Sequence, residues 1–187
     1  MPDSVVAAQL AYFIDREPLG RRRLAQKTGL TEMAVRIELE RMRDQQFVTL
    51  GRAGVELTLP GHQHFAPILD RVRAIEPVDL TNLRVDTVAL AAQIVGKTRD
   101  PVWSLRDTAV REGATGLLLL RFGPDGWAFA HNEEPARLQN RLDAETLETT
   151  FPGAAPDELL IIVSAPDRRP AGLGLWRVLL SVLALAK

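Results

Sequence analysis

The sequence predicts an α+β chain in two domains: an N-terminal winged helix-turn-helix and a C-terminal ferredoxin-like domain with an extra C-terminal helix. Three observations lead there. "PLGRRRLAQKTGLTEMAVRIELERMRDQQF" holds two short helical patterns separated by one glycine, Gly29. Two β-prone runs follow and flank Gly51-Arg52-Ala53-Gly54, which reads as a hairpin. Beyond residue 84 the elements alternate in the order β-α-β-β-α-β. Domains are therefore expected at residues 1–75 and 85–187. The linker is placed over residues 76–84, where "EPVDLTNLR" loses all periodicity.

In the first domain, Val5, Val6, Leu10, Phe13 and Ile14 fall close to helical spacing, and Ser4 can cap that helix. Pro18 and Gly20 interrupt it. Arg21 to Thr28 is a short second helix, stopped by Gly29, the residue suited to a left-handed C-terminal position. Thr31 is the N-cap of a third helix running from Glu32 to about Gln45. Its apolar residues Val35, Leu39 and Met42 make one stripe for the core. "PGHQHFAPILDRVRAI" is expected as a fourth helix, somewhat broken by Pro67.

In the second domain, "VDTVALAAQIVG" reads as a strand covered on both faces. "SLRDTAVREG" reads as a helix with Ser104 at its N-cap, Asp107 three residues on, and Gly113 as its stop. "TGLLLLRF", "GPDG" and "WAFAH" form a hairpin. "PARLQNRLDAETLETTF" is helical, with Pro135 in the first turn. "ELLIIVSAP" is another buried strand, and "GLGLWRVLLSVLALAK" closes the chain as an apolar helix over Gly172–Ala186.

The third helix must bury its stripe, so its other face presents Thr31, Glu32, Met33, Arg36 and Ile37 to a major groove. Arg21, Arg22 and Arg23 stand where phosphates would run, and Arg52 at the hairpin tip can reach a minor groove or the backbone. The chain's net charge is −1, which gives no global case for nucleic acid. Residues 1–75, however, carry 11 Lys and Arg against 9 Asp and Glu, whereas the remainder carries 12 against 15. The expected partner is double-stranded DNA.

Residues Gly20-Arg21, the turn Gly29-Leu30-Thr31 and the pair Leu57-Thr58 resemble the N-terminal domain of the central glycolytic gene regulators, bacterial winged-helix repressors. The resemblance spans about residues 5–65. Those repressors carry a much larger sugar-phosphate domain than the hundred residues left here, so their effector is not transferred. The whole chain resembles more closely an archaeal family of winged-helix proteins with a short C-terminal domain of unknown function. "SLRDTAVREGATG", Ser104 to Gly116, followed by a strand and a hairpin, carries that likeness. The resemblance implies a regulator.

Other chemistry finds little support. "AAQIVGKT", Ala91 to Thr98, fits a loose P-loop pattern with Ala91 in place of the first glycine, but Ala92 to Val95 is strand-like and offers no glycine for a phosphate-wrapping loop, and Pro101 comes too soon. Lys97, Thr98 and Arg99 still precede the helix expected to start near Ser104, a place for a small anionic effector. His62 and His64 have no third ligand beside them, His131 stands alone, and there is no cysteine, so neither a metal nor a cofactor is expected. No nucleophile-base pattern is present, and an enzyme is not expected. The terminal helix carries one charge, Arg177, and is too short to span a bilayer. A homodimer is expected with Trp176, Leu179, Leu180 and Leu183 at its seam; packing inside the chain is the alternative. Without a basic leader segment the location is expected to be cytoplasmic. The rival function is a winged helix that binds protein instead of DNA.

Overall fold

The structure is a computed structural model that describes residues 4–184, with the side chain of residue 184 excepted. The chain divides into two compact units, Met1–Asp70 and Arg71–Lys187.

Unit 1 opens with α1, Val5–Arg16, capped by the Ser4 side chain, which accepts from the Ala7 N–H at 3.1 Å. Next comes α2, Arg21–Thr28. It ends at Gly29, whose φ of 74° puts it in the left-handed region and whose N–H closes on the Ala25 carbonyl. Thr31 caps α3, Glu32–Asp44, accepting from Ala34 N–H at 3.2 Å. Val35, Leu39 and Met42 are its buried stripe. Strands β1, Val48–Leu50, and β2, Val55–Leu57, pair antiparallel. Thr58 then caps α4, Leu59–Leu69. The core of the unit gathers Leu10, Leu24, Leu39, Met42, Phe65 and Ile68.

The hairpin is tied to the segment before α2. Val55 N–H donates to the Leu19 carbonyl at 3.0 Å. Gly54 holds φ +142°, and a Cβ there would lie 2.7 Å from the Leu19 nitrogen and 2.9 Å from the Pro18 carbonyl carbon. Those are backbone atoms that cannot rotate away, so only glycine lets the two segments approach.

Unit 2 begins with a strand that the sequence reading missed. Residues 72–75 were expected to finish the fourth helix and residues 76–84 to be a linker. Instead β3, Val72–Pro77, pairs antiparallel with β4, Val88–Ile94. Val78 and Leu80, from the supposed linker, are buried in the same core. The loop after them is clasped by Asp143, whose carboxylate accepts from the N–H groups of Thr81, Asn82 and Leu83 at 2.5, 2.9 and 2.7 Å. A fully buried carboxylate needs such donors, and it found them sixty residues away.

The remaining elements are α5, Val102–Val110; β5, Gly116–Gly123; β6, Gly126–Phe129; α6, Ala136–Gln139; α7, Arg141–Thr150; β7, Leu159–Ala165; and α8, Arg168–Ala184. The expected single helix over residues 135–151 is broken at Asn140, whose φ of −132° and ψ of 54° are not helical. The last residues of the expected terminal helix lie outside those described. All pairings in the five-stranded sheet are antiparallel, in the order β3-β4-β7-β5-β6.

This layout departs from the expected ferredoxin-like one. The order along the chain is as read, but helices cover both faces, whereas the usual antiparallel α+β sheet keeps its helices on one face. Ala144, Leu147 and Phe151 of α7 pack on Ala89, Ala91, Leu120, Leu160 and Ile162. On the opposite face α8 lies over β4 and β7 beside α5. A Cβ on Gly174 of α8 would sit 3.2 Å from the Ala109 carbonyl and 3.3 Å from Val163. Ile162 and Val163 are neighbours in one strand and point to opposite sides.

The terminal helix is thereby corrected. Trp176, Leu179 and Leu183 are 1%, 0% and 4% exposed, buried within the chain's own core, so these three cannot form a dimer seam. Leu180 alone of the four is part-exposed. An open sheet face needed an apolar cover, and α8 is that cover. Among the described residues, no helix is long and apolar enough to cross a membrane.

Candidate nucleic-acid interface

Burying Val35, Leu39 and Met42 fixes which side of α3 meets solvent. Met33 and Ile37 stand opposite that stripe, 61% and 58% exposed. Thr31 is exposed at the helix start, but its hydroxyl oxygen already serves as the cap. Arg36 is exposed on the flank and its Nε donates to Glu40 Oε1 at 2.8 Å. That hydrogen bond, and the attraction behind it, holds the Glu40 carboxyl below the usual carboxylate range and lifts Arg36 above its own ordinary value. Arg43 and Arg21 add to the pull on Glu40.

Arg21, Arg22 and Arg23 fill the exposed first turn of α2. Gly20 caps that helix without any side-chain hydrogen bond, and the positive end of the helix dipole lies at this turn. Arg52 is exposed at the hairpin tip, where Gly51 N–H donates to the Gly54 carbonyl at 2.8 Å.

These pieces enclose a groove of about 320 Å³ between the start of α2, the flank of α3 and the hairpin, lined by Arg21, Arg36, Glu40, Arg43, Leu50 and Gly51 among others. Three arginines converge on it. Arg43 was missed in the sequence, though the signal was there: it lies seven residues, two turns, beyond Arg36.

The other expected site is not assembled. The helix expected to be capped by Ser104 starts at Val102 with Pro101 as its N-cap, because the fixed φ of proline, here −66°, suits that place. Ser104 lies inside the helix and its carbonyl accepts from the Thr108 hydroxyl at 2.9 Å. Lys97 pairs with Asp157 at 3.3 Å, the Thr98 hydroxyl oxygen accepts from Asp100 N–H at 3.1 Å, and Arg99 is exposed. Lys97 and Thr98 are thus turned to partners within the chain. The histidines diverge: His62 contacts Asp15 at 3.2 Å, and His64 stacks on Phe47 with ring centres 4.2 Å apart. Among the described residues, no group of three His, Cys, Asp or Glu could hold a metal ion.

Unit 1 thus sets the exposed face of α3 beside an arginine-lined groove. Residues 10–78 match the family described as the CggR N-terminal DNA binding domain, which gives this chain an N-terminal DNA-binding domain like that of the glycolytic regulators and supports a DNA-binding regulator. No curated protein matches the chain. A hypothetical protein from Pyrococcus horikoshii OT3 has a similar solved structure, covering 97% of this chain and 93% of its own, with a TM-score of 0.77 and 19% sequence identity. At that identity the likeness speaks for the fold.

Proposed function

We propose that unit 1 is a winged helix-turn-helix that reads duplex DNA in a sequence-specific way, and that the chain is a cytoplasmic transcriptional regulator rather than an enzyme. The convergence of Arg21, Arg36 and Arg43 on one groove beside α3 carries this reading. In it, α3 enters the major groove. Met33 and Ile37 meet thymine methyl groups there, and Arg36 leaves Glu40 to take a guanine edge. Arg21, Arg22, Arg23 and Arg43 hold phosphates, and Arg52 on the wing holds the neighbouring groove or backbone. Two copies acting together would match a two-fold operator. Leu180 and the exposed Trp103 and Val110 of α5 are apolar side chains that such pairing could use.

Selection of bound duplexes from a random DNA pool, followed by binding at several salt concentrations, tests the reading. The expected result is an enriched motif and a log K that falls with log salt by about 0.9 per phosphate contact. Arg36→Ala should relax preference at one base position, by roughly tenfold to a hundredfold. Arg22→Ala should weaken all duplexes alike. A second reading is favoured by Met33 and Ile37, two large apolar side chains one turn apart on the same exposed face of α3. In that reading α3 docks on a protein. A pool that yields no motif and binding without salt dependence would select it.

A further inference from the structure

The β5–β6 hairpin of unit 2 carries two cavities that share the turn Pro124-Asp125-Gly126. The register explains why there are two. Phe122 faces Trp127 across the hairpin, Arg121 faces Ala128, and the two pairs point to opposite sides. Phe122 lines the larger cavity, of about 830 Å³, where the cation Arg137 is already held by Glu148 at 2.6 Å. Arg121 and Ala128 line the smaller one, of about 260 Å³.

Arg121 lines the smaller cavity, and its guanidinium has no ion-pair partner among the described residues. Arg121 Nε is buried and has no hydrogen-bond partner among the described residues. A buried, unpaired N–H on a charged group is costly, and it calls for a partner that the chain does not supply. Ala128, Phe129 and Ala130 give the cavity apolar walls. Asp125 and Glu133 also line it, both exposed, and no ion pair joins either to Arg121 among the described residues. Glu133 holds φ +60°, in the left-handed region, fixed by its N–H to the Phe129 carbonyl at 2.8 Å.

We propose that this cavity binds a small zwitterion with an apolar body, of the class of α-amino acids with aliphatic or aromatic side chains. The carboxylate of the ligand pairs with Arg121, its ammonium faces Asp125 and Glu133, and its body lies against Ala128 and Phe129. The two acidic groups repel phosphates and di-acids, which separates this site from a general anion site. The volume equals roughly nine waters of bulk liquid, room enough for a small amino acid. The proposal gives the regulatory reading an effector site and takes its biological meaning from that reading. Its test contains no DNA, so failure of one leaves the other standing.

The test is calorimetric titration and thermal unfolding of the full chain with L-leucine, L-phenylalanine and L-valine. Controls are 4-methylpentanoate, which lacks the amine, 3-methylbutylamine, which lacks the carboxylate, and inorganic phosphate. At least one amino acid should bind and raise Tm by mass action on the folded state. 4-Methylpentanoate should bind at least tenfold more weakly, and the amine and phosphate not measurably. Arg121→Gln should lose tenfold or more in amino-acid affinity. Should that variant not fold, the side-chain Nε–H resonance of Arg121 in the wild type is read instead, and it should move with the amino acid and stay with the amine. The proposal is overturned if none of the three amino acids binds, if phosphate binds as well as they do, if Arg121→Gln binds them as the wild type does, or if the Arg121 resonance stays still.

Discussion

Gly54→Ala puts the wing under direct test. The added Cβ would lie 2.7 Å from the Leu19 nitrogen and 2.9 Å from its carbonyl carbon, with the backbone at φ +142°. Strain of that kind costs about 1–3 kcal/mol. Relief of the clash must part β2 from Leu19 and give up the Val55–Leu19 hydrogen bond, worth about 1 kcal/mol net. The sum is roughly 2–4 kcal/mol. For a unit of this size each kcal/mol moves Tm by about 4–8 °C, so the transition of unit 1 should fall by roughly 8–32 °C. Differential scanning calorimetry reads it, and duplex binding at a temperature where the variant is still folded reads the displaced β1–β2 hairpin. A Tm within about 3 °C of the wild type would refute the close approach on which the wing assignment stands.

Glu40→Gln should release Arg36 and strengthen binding of the selected duplex over one altered at the base pair that Arg36 reads, measured by fluorescence anisotropy. The pH behaviour of that pair follows from the lowered Glu40 value: its stabilisation is complete above the ordinary carboxylate value of 4.5 and fades as pH falls through the lower folded one. Duplex affinity between pH 6 and 8 should therefore show no change from this pair. Asp143→Asn turns a donor toward one or more of three backbone N–H groups and should cost unit 2 about 2–4 kcal/mol in urea denaturation. Leu180→Glu should stay folded and sediment as a monomer, whereas Leu179→Glu should unfold unit 2, because only the latter buries a charge with no partner; equal behaviour of the two would contradict the placement of α8.

Local signals made the first three helices and the hairpin readable in sequence. Ser4, Thr31 and Gly29 mark ends by their own side chains or backbone freedom, and the stripe of α3 needs no information from elsewhere. What failed was non-local. "RVRAI" after α4 continues a helical pattern, and only β4, some twenty residues on, turns it into a strand. The clasp of Asp143 on Thr81–Leu83 has no pattern of its own, since donor and acceptor are joined only by the fold. The capping of α5 was misread because serine has a cap side chain and proline has none, yet Pro101 took the place. The terminal helix shows the limit of composition: an apolar sequence suits a subunit seam and a sheet cover equally, and only the uncovered face of β4 and β7 decides. The exposed positions of Arg36 on α3 and Arg52 on the hairpin were readable, but the engagement of Arg36 by Glu40 depends on rotamers and was not.

The edge strand β3 has a practical consequence for anyone who divides the protein. A fragment cut at residue 76, where the sequence pattern lapses, would lose most of β3 and with it Arg73, whose Nε donates to the buried Glu158 at 2.5 Å. Glu158 would keep Gln93 at 2.6 Å but not its cation. The outer side of β4 would become an open, apolar ladder of unpaired amides, a template for sticking to other chains. Arg71, too, belongs downstream, since its guanidinium donates to the carbonyls of Val95 and Leu183. Scissors placed between Asp70 and Arg71 spare every one of these ties, while a cut only five residues later strips the short edge strand from β4 and leaves a longer, more apolar edge open to aggregation.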